Sequence, residues 1–308
     1  MAEHDPQDKH HGPHVFDRPL VRANRARARK SWGKYGFLHN HVAEELSDRL
    51  LAVRRSFKTS VELGARTGAF AATEAGQKLE RLIGIDLVPP YESTKHSGYL
   101  IADEERLPLA DASINLLIAP LCLHVVNDLP GTLRQIRNAL KPDGLFVGTL
   151  FGGETLTALR AALMEAEIET TGGAAPHIAP AVDIRDAGWL LLRSGYALPV
   201  SDADTLTVNY DSAFDLMNDL RGMGEGNTLT DRHRGFARRE TFLRAAEIYQ
   251  DRHAGHDGRI EAKFEILYLM GWAPHPSQQT PLKPGSGTVR LADAIGNPEL
   301  SAEFPSKD

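Results

Sequence analysis

Three acidic side chains stand at or near the ends of short apolar runs in the first half of the sequence. They are Glu62, Asp86 and Asp103. In an open sheet of parallel strands, the carboxyl ends of the strands meet at one edge, and ligands bind there. A carboxylate in that position can accept hydrogen bonds from ribose hydroxyls or bind an ammonium group. The pattern therefore predicts a site for a cofactor that carries a ribose and an amine.

A glycine-bearing turn follows Glu62 and leads into a helical pattern. Gly64 and Gly68 allow the backbone to approach a ligand closely, and the amide groups at a helix start favour a polar or anionic group. Between them stands Arg66, a large cation. Its side chain can turn out to solvent, or it can pair with Glu62 and neutralise that carboxylate. Two hypotheses follow, a cofactor site that is still used and one that is degenerate.

Apolar runs alternate with helical patterns through the first half of the chain, which is typical of βαβ units in a parallel sheet. Strands are predicted at 60–63, 81–86, 98–103, 114–119 and 144–151, and helices at 38–56, 69–78 and 129–140. Further on, helices are predicted at 154–166, 182–194, 211–222 and 236–251, and strands at 205–210 and 263–272. No internal repeat separates the two halves, so we expect the second half to complete a single sheet.

The composition excludes several classes of protein. The chain has 308 residues, a net charge of −6 and a single cysteine, Cys122. One cysteine excludes a disulfide framework and a multi-cysteine metal site, and we expect no metal. The acidic net charge argues against a general nucleic-acid binder. No run reaches the roughly 18 apolar residues of a membrane span, and the polar first residues carry no apolar signal region, so we expect a cytoplasmic protein.

The two ends of the chain differ from its middle. Residues 1–15 are predicted to be a disordered tail, residues 16–56 to form basic and amphipathic helices, and residues 274–308 to be an irregular tail. Seven basic residues and no acidic residue lie between Arg18 and Lys34. This cluster is typical of a docking surface for an acidic partner or for anionic lipid at the inner face of a membrane, and equally of a solvated helix face.

Four motifs occur in an order that resembles the class I S-adenosylmethionine-dependent methyltransferase superfamily. They are Glu62-Leu63-Gly64-x-x-x-Gly68, Asp86, Ala102-Asp103 with Leu107-Pro108-Leu109, and Leu140-Lys141-Pro142-x-Gly144. The resemblance implies an α/β, Rossmann-like three-layer sandwich over residues 57–273, with a mostly parallel seven-stranded sheet, one antiparallel strand and a helical insertion at about 211–255. It also implies S-adenosyl-L-methionine as the cofactor, bound by Glu62, Gly64, Ala65, Gly68, Asp86, Asp103, Glu104 and Leu121. Of these, Glu62 would bind its ammonium group, Asp86 its ribose hydroxyls and Asp103 its adenine amino group. Arg66 departs from the pattern, because the superfamily has glycine there.

A narrower resemblance covers almost the whole chain and points to the methyltransferase-like assembly factor family of respiratory complex I. It rests on Phe16-Asp17-Arg18, Leu123-His124-x-x-Asn127-Asp128, Phe151-Gly152-Gly153-Glu154, Pro176-His177-Ile178, Val208-Asn209-Tyr210 and the run 219–225. It implies an enzyme that acts on an arginine of an iron–sulfur protein subunit, as a hydroxylase rather than a methyltransferase. The malonyl-acyl-carrier methyltransferase of biotin synthesis shares the first half of the pattern. The alternative is a non-catalytic assembly scaffold with a degenerate cofactor site.

Candidate catalytic and substrate-binding residues follow the later strands, where loops at the sheet edge carry function. The predicted catalytic residues are His124, Glu154, Asn209 and Tyr210, and the predicted substrate-binding residues are Asn127, Asp128, His177 and Glu225. Most have a structural alternative: a packed imidazole for His124, a helix cap for Asp128 and a favourable helix-dipole contact for Glu154. A guanidinium substrate would need carboxylates around it, and Asp128, Glu154, Asp219 and Glu225 are available.

Overall fold

Seven strands form one twisted sheet in the computed structural model, which describes residues 14–92, 94–173, 175–235 and 238–279, with 286, 289, 293 and 296. The strands are β1 (Ser60–Leu63), β2 (Leu82–Asp86), β3 (Gly98–Ile101), β4 (Ile114–Ala119), β5 (Leu140–Phe151), β6 (Ala197–Tyr210) and β7 (Ile260–Trp272). Their order is β3-β2-β1-β4-β5-β7-β6. Strands β1 to β5 are parallel, and β7 runs antiparallel to both β5 and β6. The predicted fold class is confirmed.

Helices cover both faces of the sheet and its carboxyl edge. They are α1 (Arg18–Ala28), α2 (Trp32–Tyr35), α3 (Phe37–Leu51), α4 (Ala69–Ala72), α5 (Glu74–Lys78), α6 (Leu129–Ala139), α7 (Thr157–Thr171), α8 (Ile184–Arg193), α9 (Ala213–Met223) and α10 (Arg239–His253). Both α9 and α10 lie between β6 and β7, in the region predicted to be a helical insertion. Two 3-10 turns, Ala65–Thr67 and Leu123–Val125, follow β1 and β4.

One expected strand is much longer than its sequence pattern indicated. Residues 205–210 were predicted to be a strand, whereas β6 begins at Ala197. This strand lies at the edge of the sheet, and most of its side chains are exposed or half-buried. An edge strand with polar residues on its open face carries little apolar alternation, so its first half could not be distinguished from a loop.

The core consists of two apolar layers, one on each face of the sheet. Alternate side chains of a strand point to opposite faces, and β4 shows this clearly. Leu116 and Ile118 pack with α3 and α7 on one side, whereas Leu117 and Ala119 pack with α6 and α8 on the other. All four are essentially inaccessible to solvent. Both faces of the sheet are therefore packed up to the end of β4.

Helix α1 is anchored differently from the rest of the molecule. Asp17 caps it by accepting a hydrogen bond from the backbone N–H of Leu20. Its apolar contacts belong to a third, smaller cluster, which includes Val21 and Ala28 of α1 and Tyr91 and Val125 at the carboxyl edge. The helix thus lies against the ends of the strands with little apolar surface to hold it there.

The named strands and helices all lie in the compact unit Met1–Pro274. Most of the predicted tail at 274–308 falls outside the described residues, as do residues 1–13 of the predicted N-terminal tail. Within the described part of the chain, none of the helices is both long enough and apolar enough to span a bilayer.

Candidate active site

The turn after β1 has the tight geometry that its glycines predict. Gly64 and Gly68 adopt positive φ angles of 80° and 67°. A Cβ atom on Gly64 would lie 2.6 Å from the Cβ atom of Cys122, so the close packing of the turn against the end of β4 requires glycine. Cys122 is fully buried there. Ala65 is buried between the two glycines.

Glu62 is fully buried and bonds a residue that the sequence analysis did not single out. Its Oε2 atom lies 2.8 Å from the Nε2 atom of His96. Its Oε1 atom is buried and has no hydrogen-bond partner among the described residues. A buried carboxylate oxygen of this kind is costly unless something donates to it, which makes it a candidate acceptor for a ligand. His96 gave no sequence signal, because it stands in a polar loop.

Asp86, at the end of β2, has both carboxylate oxygens engaged by the protein itself. Its Oδ1 atom accepts from the Nη1 atom of Arg25 at 3.1 Å and from the backbone N–H of Val88 at 3.2 Å. Its Oδ2 atom accepts from the backbone N–H of Arg66 at 3.3 Å and from the Nη1 atom of Arg66 at 3.4 Å. Asp86 is therefore fully coordinated by two buried arginines and the backbone.

Arg66 follows neither of the two orientations expected for it. Its side chain is fully buried, and it does not pair with Glu62. Its Nη2 atom lies 3.3 Å from the Nε2 atom of His39 and 3.7 Å from the Oε1 atom of Glu225, while its Nη1 atom faces Asp86. A buried guanidinium requires carboxylates close by, and the tertiary structure supplies Asp86 and Glu225 from distant parts of the chain.

Two arginines of α1 complete this buried cluster. Arg25, 2% exposed, pairs with Glu104 as well as with Asp86. Arg18 pairs with Glu104 and with Asp103, whose Oδ1 atom is 2.6 Å from its Nη2 atom. Both expectations for this cluster, a docking surface and a solvated helix face, are therefore wrong for Arg18 and Arg25, which face inward. The signal was present in their spacing of seven residues, because two helical turns place them on one face.

Burial and ion pairing act in opposite directions on these carboxylates. Burial disfavours the charged form of Glu104, but Arg25 and Arg18 lower its pKa to about 2. In the same way burial opposes ionisation of Glu225, but His124, His39 and Arg66 lower its pKa to about 2. Both groups are therefore anionic at neutral pH, and the cluster is held together by charges of opposite sign.

A cavity of about 740 Å³ lies next to this cluster, at the ends of β4 and β5. Its walls are mainly apolar, with Leu20 from α1, Phe151 from β5 and Leu159 from α7 among them. His124 and Glu225 lie on its inner side, and the Nε2 atom of His124 is 2.8 Å from the Oε2 atom of Glu225. The cavity thus combines mainly apolar walls with the His124–Glu225 pair, with His177 and with the arginines Arg27, Arg160 and Arg221. Apolar walls with a few polar groups are the usual form of a substrate site.

A second histidine–glutamate pair stands at the cavity wall. His177 lines the cavity, and its Nε2 atom is 3.0 Å from the Oε2 atom of Glu167. The same oxygen accepts from the backbone N–H of Ala175 at 2.7 Å. Glu167 holds the loop that carries His177, and sequence reasoning missed it. A glutamate on the apolar face of α7, next to buried Leu163 and Ala166, is the signal that could have found it.

The structure does not bring the other candidate catalytic residues to the cavity. Glu154 is exposed, and its backbone N–H donates to the side chain of Glu265. Asn209 is exposed at the end of β6, and Tyr210 is buried there instead, where burial first and Asp219 second raise its pKa. The predicted set therefore separates, because β6 lies beyond β7 at the far edge of the sheet.

Two predicted substrate-binding residues have structural roles here. The side chain of Asp128 caps α6 by accepting from the N–H of Gly131 at 2.8 Å, which confirms the capping alternative. The side chain of Asn127 bonds both backbone groups of Phe16, at 2.7 and 3.2 Å. It ties the chain before α1 to the sheet edge. Of the four carboxylates considered for a guanidinium, only Glu225 lines the cavity among the described residues.

Leu121 is a strained residue in the turn after β4. It has a positive φ of 42° and is fully buried, and its backbone N–H donates to the hydroxyl of Thr149 at 2.9 Å. A left-handed conformation is unfavourable for a leucine, and such strain tends to occur at functional sites. Leu121 lies three residues before His124 in the sequence.

The fold and this edge of the sheet define a methyltransferase domain. Residues 61–148 match the family model described as a methyltransferase domain. A solved structure, the YcgJ protein from Bacillus subtilis, has the same fold with a TM-score of 0.51 at 13% identity, covering 76% of this chain and 99% of that one. The predicted cofactor class, S-adenosyl-L-methionine, is confirmed at the level of this domain.

More similar relatives define the family. The chain is 38% identical over 289 residues to the arginine-hydroxylase NDUFAF5, mitochondrial, of Danio rerio, covering 92% of this chain and 90% of that protein. It is 37% identical over 293 residues to the human protein of the same name, covering 91% and 83%. A malonyl-[acyl-carrier protein] O-methyltransferase of Xylella fastidiosa is 31% identical over 277 residues, covering 86% and 91%. The chain belongs to the arginine-hydroxylase NDUFAF5 family.

The residues at the strand ends fit S-adenosylmethionine in their chemistry. Glu62, Asp86 and Asp103 stand at or just after the ends of β1, β2 and β3, where an ammonium group, a ribose and an adenine amino group are predicted to bind. The unpartnered Oε1 atom of Glu62 supports this reading, because an ammonium group would satisfy it. When bound, the cofactor supplies a methyl group activated by a sulfonium. In this arrangement, however, Arg25 and Arg66 already bond Asp86.

Proposed function

We propose that this protein modifies an arginine side chain of a protein substrate, and that this arginine enters the cavity beside Glu225. The observation that carries the proposal is the position of Glu225. Among the described residues of the wall it is the one with a carboxylate. A carboxylate binds a guanidinium through strong, directional hydrogen bonds, and apolar walls strengthen such a pair by excluding water.

The surroundings of Glu225 suggest distinct roles for its neighbours. Its pKa of about 2 keeps it anionic at neutral pH. His124 bonds one of its oxygens at 2.8 Å, and Arg66 lies 3.7 Å from the other. We assign Glu225 the binding of the substrate guanidinium and His124 the orientation of that carboxylate. The ring of His124 packs 4.5 Å from that of Phe151, which fixes its plane.

The reaction and the partner are proposed from the family. The relatives are named arginine-hydroxylases, so the proposed change converts one C–H bond of the arginine to C–OH. One oxygen atom of dioxygen enters the product, and the other leaves as water with two protons and two electrons from a separate reductant. The proposed substrate is an iron–sulfur subunit of respiratory complex I, modified during assembly. A separate cofactor-dependent methylation of the same arginine would instead add one methylene unit, and the two products differ in mass.

The test is mass spectrometry of complex I subunits from cells that carry either the native protein or Glu225→Gln. We expect one arginine of an iron–sulfur subunit to gain the mass of an oxygen atom in the native strain and to lose that gain in the variant. Glu247→Gln is the matched control, because Glu247 is exposed and, among the described residues, its ion pair is with Arg244 at 3.2 Å on the surface of α10. An arginine that is unmodified in the native strain, or still modified with Glu225→Gln, contradicts the proposal.

A second candidate function is an assembly scaffold that makes no use of the cofactor. The pairing of Asp86, Asp103 and Glu104 with arginines favours it, since those carboxylates then have a structural role. Asp86→Ala separates the two candidates if the variant still folds. Complex I that assembles normally with Asp86→Ala would favour the scaffold, which makes no use of the cofactor. Complex I that fails to assemble would favour a function that depends on cofactor binding.

A further inference from the structure

Helix α1 places a cation where the cofactor's ribose is predicted to bind. The Nη1 atom of Arg25 lies 3.1 Å from the Oδ1 atom of Asp86, and it also bonds Glu104. With Arg66 and two backbone groups on the same carboxylate, Asp86 has no oxygen left without a donor. A ribose whose two hydroxyls bond this carboxylate must therefore displace one of the present donors.

Of those donors, Arg25 is the one that can leave. The backbone N–H groups of Arg66 and Val88 belong to the sheet edge, and the side chain of Arg66 is enclosed by His39 and Glu225. Arg25 instead reaches Asp86 from α1, a separate element. Withdrawal of α1 also breaks the hydrogen bond that the hydroxyl of Tyr91 donates to the backbone carbonyl of Arg25 at 2.5 Å.

The energetics of α1 favour a reversible contact. Its buried apolar side chains are Val21 and Ala28, both in the small third cluster, and Leu20 lines the cavity. Elements with little buried apolar surface open at low free-energy cost. The buried ion pairs of Arg18 and Arg25 contribute little net stability, because the cost of removing charges from water offsets most of their attraction. A ligand that replaces the hydrogen bonds to Asp86 can therefore compete with α1.

We propose that Arg25 is a built-in competitor of the cofactor, so that α1 must withdraw from the strand ends before S-adenosylmethionine binds to Asp86. In the unliganded protein, Arg25 of α1 then bonds Asp86 in place of the ribose. The measured affinity for the cofactor is the intrinsic affinity reduced by the fraction of molecules in which α1 has withdrawn. This inference rests on the methyltransferase domain and is independent of which substrate the cavity takes.

The direction in which one substitution changes the affinity for S-adenosylmethionine tests the proposal. Calorimetric titration of the full chain with S-adenosylmethionine should show about tenfold tighter binding to Arg25→Gln than to the native protein, the change expected if α1 is withdrawn in about one molecule in ten. Arg22→Gln is the matched control, because Arg22 is exposed on the same helix, and it should bind as the native protein does. Unchanged or weaker binding to Arg25→Gln overturns the proposal, and so does an absence of binding to both proteins.

A second variant tests the withdrawal of the helix without removing Arg25. The side chain of Asn24 in α1 lies 3.3 Å from the backbone carbonyl of Gly226, and a Cβ atom on Gly226 would contact that side chain at 3.3 Å. The double substitution Asn24→Cys and Gly226→Cys therefore allows a disulfide that ties α1 to the loop after α9. We expect the oxidised protein to lose cofactor binding and the reduced protein to regain it.

The reduced form of the double variant is the folding control for its oxidised form, because the two measurements use the same protein. The native protein, whose single cysteine is buried, should bind equally well with and without reductant. Equal affinity of the oxidised and reduced double variant overturns the proposal. Failure of the arginine modification in cells, by contrast, bears on the proposed function and leaves these binding measurements unaffected.

Discussion

Two regions at the same edge of the sheet differ in what surrounds their carboxylates. At the ends of β1, β2 and β3, carboxylates meet buried arginines, and Arg25 and Arg66 are almost inaccessible to solvent. At the ends of β4 and β5, one carboxylate, Glu225, faces a cavity of about 740 Å³ with mainly apolar walls. The first region is closed by the protein's own cations, whereas the second is left open for a ligand.

The difference follows from the cost of burying charge. A group of carboxylates at one edge cannot be enclosed without cations, because each unpaired buried charge costs several kcal/mol. Arg18 and Arg25 supply them from α1 and Arg66 supplies one from the glycine turn. A single carboxylate is satisfied more easily, by His124 and Arg66. Glu225 therefore lies at a cavity, whereas Asp86 is fully buried among its partners.

The largest effect is expected from removing a charge in the closed region. Asp86→Asn leaves Arg25 and Arg66 buried with reduced pairing, and we expect the free energy of unfolding to fall by about 3–5 kcal/mol. Urea unfolding measures it. The control is Glu74→Gln, in the exposed pair with Lys78, where the change should stay within about 0.5 kcal/mol. A loss below about 1 kcal/mol for Asp86→Asn would show that the cluster is not closed.

The next largest effect is the pH dependence of stability that His39 causes. His39 contacts Arg66 and Glu225, which connect the two regions. Burial, and then Arg66, lower the pKa of His39 to about 3, whereas an unfolded histidine has a pKa of about 6.5. The unfolded chain therefore binds a proton that the folded chain does not, and stability falls as the pH drops from about 6.5 towards about 3. At pH 5 the contribution lost is about 2 kcal/mol.

This pH dependence is measured by urea unfolding of the native protein and of His39→Gln at neutral pH and at about pH 5. The variant should lose less stability than the native protein between the two conditions, because it lacks the titrating group. His256→Gln, at an exposed position, should keep the native pH dependence. Equal slopes for the native protein and His39→Gln would contradict the burial of His39 beside Arg66.

A smaller change in the free energy of unfolding is expected from removing the cap at the start of α1. Asp17→Ala removes the cap on the N–H of Leu20 and the ion pair with Arg232, and we expect a loss of about 1 kcal/mol in the free energy of unfolding. Because α1 becomes less stable, this variant should also bind S-adenosylmethionine more tightly. Asp251→Ala, at an exposed position of α10, should change neither quantity. Weaker cofactor binding to Asp17→Ala would argue that α1 helps to hold the cofactor.

The smallest effect should come from a cation at the open region. Arg221 is exposed at the cavity, where it donates to the side chain of Asn218 at 2.9 Å. Arg221→Gln should change the free energy of unfolding by less than about 0.5 kcal/mol, whereas Asp86→Asn in the closed region should cost about 3–5 kcal/mol. Similar losses in the two variants, measured by urea unfolding, would contradict the distinction between the two regions.

The strands of the parallel half were predictable from the sequence. The runs at 60–63 and 114–119 match β1 and β4 in the structure, because a buried strand leaves a continuous apolar run. The predicted late strand is confirmed as β7, which begins at Ile260 rather than at Lys263. The early half of β6 was missed, because an exposed edge strand carries little such signal.

At the site, local chemistry was predictable and partners were not. The tight turn at Gly64, the helix cap at Asp128 and the buried Cys122 all depend on neighbours close in sequence or on burial of an apolar strand end. His96, which bonds Glu62, and Glu167, which holds His177, were not found. Both are ordinary polar residues whose role arises only when another segment is folded against them.

The sequence by itself determined the sheet, the glycine turn and the acidic residues at the strand ends, because these follow from apolar periodicity and from local backbone geometry. Only the tertiary structure decided which cations those acidic residues meet. Arg25 is separated from Asp86 by 61 residues and from Glu104 by 79 residues of chain, and no local pattern encodes such a pairing. The cost of an unpaired buried charge depends on the whole enclosure around it, and the fold alone creates that enclosure.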